Sequence, residues 1–247
     1  MKRMVTSLAA GALLLTAVTG CGGSDRTKLT IFAASSLTGT FTTLEAQFQK
    51  DHPDVDVVLS FGSSTTLAEQ ITSGAPADVI ATADEKSISV VKDAGQLAAP
   101  PAQFATNTLV IAVPPGNPGK VTGVESLSTA KFVACDPSAP CGAAAQQMLQ
   151  NAGITAQATT YLEDVASTLA QVETGNVDAG IVYVTDATGA GDQVTAIQIP
   201  AADNVTNPYF IAAVKGSKQA TLAQDWVSLV TGPVGQGVLK KAGFGAP

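Results

Sequence analysis

Beyond residue 27 the chain alternates between two hydrophobic periods. Short apolar or β-branched runs at 28–33, 55–61, 78–83, 107–113, 131–135, 157–161, 178–184, 194–199 and 209–214 predict strands. Between them lie segments with a helical repeat. Residues 38–50 place Phe41, Leu44 and Phe48 on one face, 65–73 place Leu67 and Ile71, and 164–173 place Val165, Leu169 and Val172. Helices are also predicted from Asp84, a natural N-cap, to 94, over 142–151 with Gly153 as its stop, and over 221–230 and 234–242. This regular alternation predicts an α/β fold with two mostly parallel sheets and helices on both faces. Ligands of such folds sit beyond the carboxyl ends of the strands.

The first residues follow another logic. Lys2 and Arg3 precede a small, apolar run from Ala9 to Val18, and Val18-Thr19-Gly20-Cys21 has the form of a lipobox. Residues 1–20 are expected to be a lipoprotein signal peptide. Cys21 would be the lipidated first residue of the mature protein, and 21–27 a tether to the membrane. The apolar run is short for a membrane span. The expected location is therefore the cell envelope, outside the cytoplasm, anchored by lipid.

Composition narrows the partners. The net charge is −7, and it becomes two charges more negative once Lys2 and Arg3 are removed. With few aromatics and no basic cluster, nucleic acid is not an expected partner. Cys135 and Cys141 flank Asp136-Pro137-Ser138-Ala139-Pro140. In an oxidising compartment this pair most simply forms a disulfide; metal binding is the rival, but no third soft ligand lies nearby. His52 precedes Pro53 at a turn and is expected to be exposed.

The candidate chemistry lies in two serine loops. Phe32-Ala33-Ala34-Ser35-Ser36-Leu37-Thr38 follows the first strand, and Phe61-Gly62-Ser63-Ser64-Thr65-Thr66-Leu67 follows the second. Each leads into a helix, so each offers hydroxyls and unpaired N–H groups where the helix dipole favours an anion. Gly142 and Glu163-Asp164-Val165 open two further helices. Any one serine could serve simply as a cap. Catalytic patterns are missing: there is no Gly-x-Ser-x-Gly, no phosphate-binding glycine loop and no metal-ligand spacing. Ser128-Thr129-Ala130-Lys131 matches Ser-x-x-Lys by letters only. Asn204-Val205-Thr206 matches a glycosylation sequon by chance.

Six segments, in order, carry a resemblance. They are Ile31-Phe32-Ala33-Ala34-Ser35-Ser36-Leu37, Phe61-Gly62-Ser63-Ser64-Thr65-Thr66-Leu67, Gly74-Ala75-Pro76-Ala77-Asp78-Val79, Cys135-Asp136-Pro137, Glu163-Asp164-Val165 and Gly180-Ile181-Val182-Tyr183. Over 28–245 the chain resembles the molybdate-binding proteins of ABC importers. The resemblance implies a periplasmic-binding-protein fold of type II, with two α/β lobes, a ligand cleft and two crossovers. Lobe 1 would comprise 28–107 plus 207–247, and lobe 2 residues 108–206. It further implies that Ser36 and Ser64 give hydroxyls, Cys141 and Val165 backbone N–H groups, and Tyr183 its phenol. The loop between Asp136 and Gly142 is one residue shorter than the family pattern, with Cys141 where a small residue stands. The implied function is capture of molybdate, and of tungstate, by a monomer that delivers it to the permease without catalysis or cofactor. Rival readings are a binder of sulfate or another tetrahedral oxyanion, a secreted serine hydrolase, and an adhesive lipoprotein.

Overall fold

The computed structural model describes residues 26–247. The expected signal peptide, Cys21 and most of the tether lie outside the described residues, and Thr27 already opens the first strand. The elements in order begin with β1 (Thr27–Ala34), a 3-10 turn (Ser35–Leu37), α1 (Thr38–Asp51), β2 (Val55–Gly62), α2 (Ser64–Thr72) and β3 (Val79–Thr82). Next come α3 (Glu85–Asp93), β4 (Ala102–Val113), β5 (Phe132–Cys135), α4 (Pro140–Asn151), β6 (Thr160–Leu162) and α5 (Val165–Glu173). The chain closes with β7 (Ala179–Tyr183), α6 (Val184–Ala190), β8 (Thr195–Gln198), β9 (Thr206–Ala213), α7 (Ala220–Thr231) and α8 (Pro233–Ala242).

The strands run in the order β2-β1-β3-β9-β4-β7-β5-β6, with β8 also on β4. Two lobes are visible in the pairing. In one, β1 pairs parallel with β2 and β3, and β9 joins β3 antiparallel. In the other, β5 pairs parallel with β6 and β7, and β4 joins β7 and β8 antiparallel. The long strands β4 and β9 pair with each other from Ala102↔Ile211 to Thr108↔Thr206 and so carry the chain between the lobes. The expectation of mostly parallel sheets is corrected here. Only the three-strand centres are parallel, because each crossing strand enters its sheet against the direction of its neighbours.

Burial follows the lobes. One core draws on residues between Leu109 and Ile199, including Phe132, Met148 and Ile181. The other lobe is filled by residues up to Ala105 and from Tyr209 onward. There the expected face of α1 (Phe41, Leu44, Phe48) is buried, and Trp226 of α7 meets Phe41 edge-on, ring centroids 5.6 Å apart. Three strands depart from their expected bounds by three residues or more. β4 starts five residues earlier than the predicted 107, and β9 starts at Thr206 ahead of Pro208. Pro208 is tolerated because β9 there pairs only with β4, β3 being reached from Phe210 on. The strand expected at 157–161 is shifted to Thr160–Leu162. Among the described residues no helix is long and apolar enough to cross a membrane.

Candidate functional site

The carboxyl ends of four parallel strands face each other across the two lobes. From β1 the chain enters the 3-10 turn that carries Ser36; from β2 it enters α2, with Ser63 as N-cap and Ser64 as first residue. From β5 it enters α4, where Pro140 takes the first position and Cys141 the second. That start is two residues earlier than predicted, since proline is pre-set for a first helical turn and loses no needed N–H there. From β6 it enters α5, where the Asp164 carboxylate accepts from the Ser167 N–H at 2.8 Å and Val165 is the first residue. The first N–H groups of a helix have no acceptor inside it. Those of Ser64, Cys141 and Val165 are such groups, and like Ser36 they find no acceptor among the described residues.

These starts close tightly around one small cavity of about 10 Å³, which brings together Ser36, Ser64, Cys141, Val165 and Tyr183. Ser36 and Ser64 are buried, and Ser64 Oγ accepts from the Ala83 N–H at 3.0 Å, which leaves its own proton to donate. Tyr183 ends β7 and is 1 % exposed, yet its hydroxyl has no hydrogen-bond partner. Burial pushes that phenol well above its ordinary range, with Tyr209, Asp186 and Asp84 adding smaller repulsions, so it is a neutral donor. No Lys, Arg or His lines the cavity, and the one charge on its wall, Asp164, is turned to its cap. The site therefore gathers neutral N–H and O–H dipoles without a counter-charge.

The loop from β5 to α4 is held by short-range bonds. Cys135 and Cys141 are joined by a disulfide, with Cα atoms 5.7 Å apart. The Asp136 carboxylate accepts from Ser138 Oγ and the Ser138 N–H, and these bonds lower its pKa. Thr65 Oγ1 in turn donates to the Ser138 carbonyl at 2.8 Å, a bond from one lobe to the other. Gly142 is needed because a Cβ there would stand 2.0 Å from the Asp136 carbonyl oxygen.

Other residues singled out from the sequence lie elsewhere. His52 is half-buried and stacks on Phe48 at 4.3 Å, a correction to the expected free exposure. At the end of the 14-residue α1 it stands roughly 20 Å from Ser36, so it supplies no base to the serines. Ser128 is exposed, and Lys131 Nζ binds the Asn176 carbonyl. Asn204, the sequon asparagine, clamps β4 by accepting from the Leu109 N–H and donating to its carbonyl. No cluster of His, Cys, Asp and Glu suited to a metal ion occurs among the described residues.

Sequence reasoning missed Tyr209, Asn107 and Asn207. Ser36 Oγ lies 2.8 Å from Tyr209 Oη, a contact between residues 173 positions apart. Asn207 Nδ2 donates to the Ala83 carbonyl, next to the N–H that holds Ser64. Buried asparagines on the crossing strands were the available signal. A wider groove of about 650 Å³ between α1, α5, α6 and α8 shares Ser35 and Ser36 with the cavity, but mixes Glu173, Asp186 and Lys241 and gathers no comparable set of unpaired donors.

Comparison with known proteins agrees with this geometry. Residues 29–245 match the model of a family described as bacterial extracellular solute-binding protein. The chain is 37% identical to the molybdate-binding protein ModA of Mycobacterium tuberculosis over 96% of its length and 95% of the relative's. It is 34% identical to the molybdate-binding protein ModA of Escherichia coli over 99% of both. Among solved structures, the periplasmic molybdate-binding protein of Azotobacter vinelandii superposes with a TM-score of 0.75 at 26% identity, covering 89% of this chain and 99% of that one.

Proposed function

The chain belongs to the bacterial extracellular solute-binding protein family, and we propose that it captures molybdate outside the cytoplasm and delivers it to an ABC importer. The observation that carries this reading is the convergence of unpaired neutral donors on one cavity that no cation lines. A tetrahedral dianion has four oxygens, each able to accept one or two hydrogen bonds. Fixed dipoles in a dry cleft satisfy them, and charge-assisted bonds of this kind are roughly twice as strong as neutral ones. The proposed donors are the Ser36 and Ser64 hydroxyls, the Cys141 and Val165 N–H groups, and the Tyr183 phenol. Helix dipoles at four starts supply the positive potential that a negative chain lacks overall.

Selectivity follows from rigidity. Fixed donors set a radius, so tungstate fits with molybdate while smaller sulfate leaves donors stretched. A wall of donors also disfavours a protonated anion, whose O–H finds nothing to accept it. The proposal extends to the ends of the pathway. Cys21 carries a lipid that holds the monomer at the membrane, and the permease reads the form in which both lobes have closed on the anion.

The test is calorimetric titration of the purified protein with molybdate, repeated in excess sulfate. A one-to-one isotherm unmoved by sulfate is expected. Silence toward molybdate with heat from sulfate would transfer the site to the smaller anion, and silence toward both would remove the anion reading.

A further inference from the structure

Each serine hydroxyl has one proton, and the site works as described only if that proton points at the anion. For Ser64 the Ala83 N–H occupies one lone pair of its oxygen, and no acceptor among the described residues takes its proton, which leaves that proton to the anion. Ser36 has no backbone donor. Its oxygen meets Tyr209 Oη, a contact in which either atom could donate.

The direction can be traced from a backbone N–H two residues beyond. The Thr108 N–H donates to Asn107 Oδ1 at 3.0 Å, which fixes the Asn107 amide and turns Nδ2 the other way. Nδ2 then reaches Thr185 Oγ1 at 2.8 Å and Tyr209 Oη at 3.4 Å, two acceptors for its two protons. Tyr209 Oη thus faces a donor on the Asn107 side. Its own proton is left to Ser36 Oγ at 2.8 Å, because the neighbouring Tyr183 hydroxyl makes no hydrogen bond. The ring cannot swing away: Tyr209 is fully buried, with Phe104, Phe244 and Tyr183 edge-on at 6.1, 5.3 and 6.1 Å. Burial also keeps the phenol protonated.

Resting on the oxyanion reading above, we propose that Tyr209, oriented by Asn107, is a positioning residue that makes Ser36 an obligate donor, so that the site rejects anions carrying a proton. The wiring starts on the crossing strands at both serines. Asn107 and Asn207 face each other in the β4–β9 register. Asn107 reaches Ser36 through Tyr209, and Asn207 holds the carbonyl of Ala83, the residue whose N–H binds Ser64.

Tyr209→Phe removes one oxygen and keeps the ring. Ser36 then loses the donor that orients its hydroxyl, which can rotate and turn a lone pair toward an anion's O–H. The test compares selenate with hydrogenarsenate, tetrahedral dianions of similar size of which only the second carries a proton. Each is titrated in mildly alkaline buffer to displace bound molybdate. The wild type should prefer selenate strongly. In the Tyr209→Phe protein the molybdate Kd should rise roughly tenfold and the preference for selenate over hydrogenarsenate should fall by about the same factor. Asn107→Asp turns the donor toward Tyr209 into an acceptor. Its added charge weakens both dianions alike, but the preference should fall as it does in Tyr209→Phe. A preference unchanged in both variants, whatever happens to the affinity, would overturn the proposal and leave Tyr209 as packing. A wild type that binds no molybdate would overturn the oxyanion reading itself, which separates the two failures.

Discussion

Replacing Tyr183 by Phe should move ligand affinity and stability in opposite directions. The Tyr183 hydroxyl is buried without a partner, a state that costs about 1–3 kcal/mol relative to a satisfied group. Phe keeps the ring and its edge-on contact with Tyr209, at 6.1 Å and 69°, and removes only the unsatisfied oxygen. The ligand-free variant should therefore unfold at an equal or higher temperature, by about 2–4 °C for each kcal/mol recovered in a protein of this size. Its affinity should fall instead. A hydrogen bond to a charged group contributes about 1.5–3 kcal/mol, which predicts a molybdate Kd roughly 10- to 150-fold weaker. Calorimetric titration gives the first quantity and thermal unfolding without ligand gives the second. Unaltered affinity would remove Tyr183 from the site. A marked drop in unfolding temperature would mean that the hydroxyl has a stabilising partner, and the reasoning from its isolation would fail.

Ser64→Ala should lower both quantities, because it deletes a donor to the anion and strands the buried Ala83 N–H; a loss of about 1–3 kcal/mol in denaturant unfolding is expected, opposite in sign to Tyr183→Phe. Gly142→Ala places a methyl 2.0 Å from the Asp136 carbonyl oxygen, so the α4 start must move; titration should show molybdate binding lost or weakened at least tenfold. Asp186 is pushed up to about 7 from 3.8, chiefly by burial, opposed by the Tyr183 N–H and reinforced by Asp164. Because the folded value lies above the unfolded one, its contribution is complete below about pH 3.8 and is lost as pH rises through about 7. Relative to Asp186→Asn, wild-type stability should fall across that window by at most about 4 kcal/mol, less because the residue is only part-buried. Parallel curves for the two proteins would contradict the shift.

The parts of the molecule legible in the sequence were those encoded by neighbours in the chain. The face of α1, the caps Asp84 and Asp164, and the serine loops after β1 and β2 are all local patterns, and the structure has them where local chemistry puts them. Long-range geometry left weaker marks. The first half of β4, Ala102-Gln103-Phe104-Ala105-Thr106, has little β-branched character after two prolines, and it is a strand because β9 pairs with it. Pro208 hid the start of β9 in the same way. Helix α6 was not predicted, its first residue being read as the end of the strand at 178–184, though Asp186 accepting from the Tyr183 N–H marks its start. Tyr209 carried no local sign at all, and Asn107 only that of a polar residue opening an apolar predicted strand. Their roles depend on contacts 173 and 102 residues away in sequence, which only the crossing of β4 and β9 brings about.

That crossing also bears on how a neutral site could drive a mechanical event. The proposed donors divide between the lobes: Ser36 and Ser64 on one, and Cys141, Val165 and Tyr183 on the other. An anion held by one lobe alone forgoes the donors of the other, so its affinity for the closed form exceeds that for the open form by the second lobe's share. Three charge-assisted bonds at about 1.5–3 kcal/mol each amount to roughly 5–9 kcal/mol. Reversing a two-state equilibrium from 1:99 to 99:1 needs about 5.5 kcal/mol of differential affinity. Most of that range exceeds the threshold, so bonds of average strength or better let the anion act as the closing agent. The Thr65–Ser138 bond is one of the contacts between the lobes and on its own is too weak to hold the closed form. A single cation on one lobe would bind the anion without this division, and closure would then add little. Distributed neutral dipoles make occupancy and closure one event, which is the signal a permease needs in order to tell a loaded receptor from an empty one.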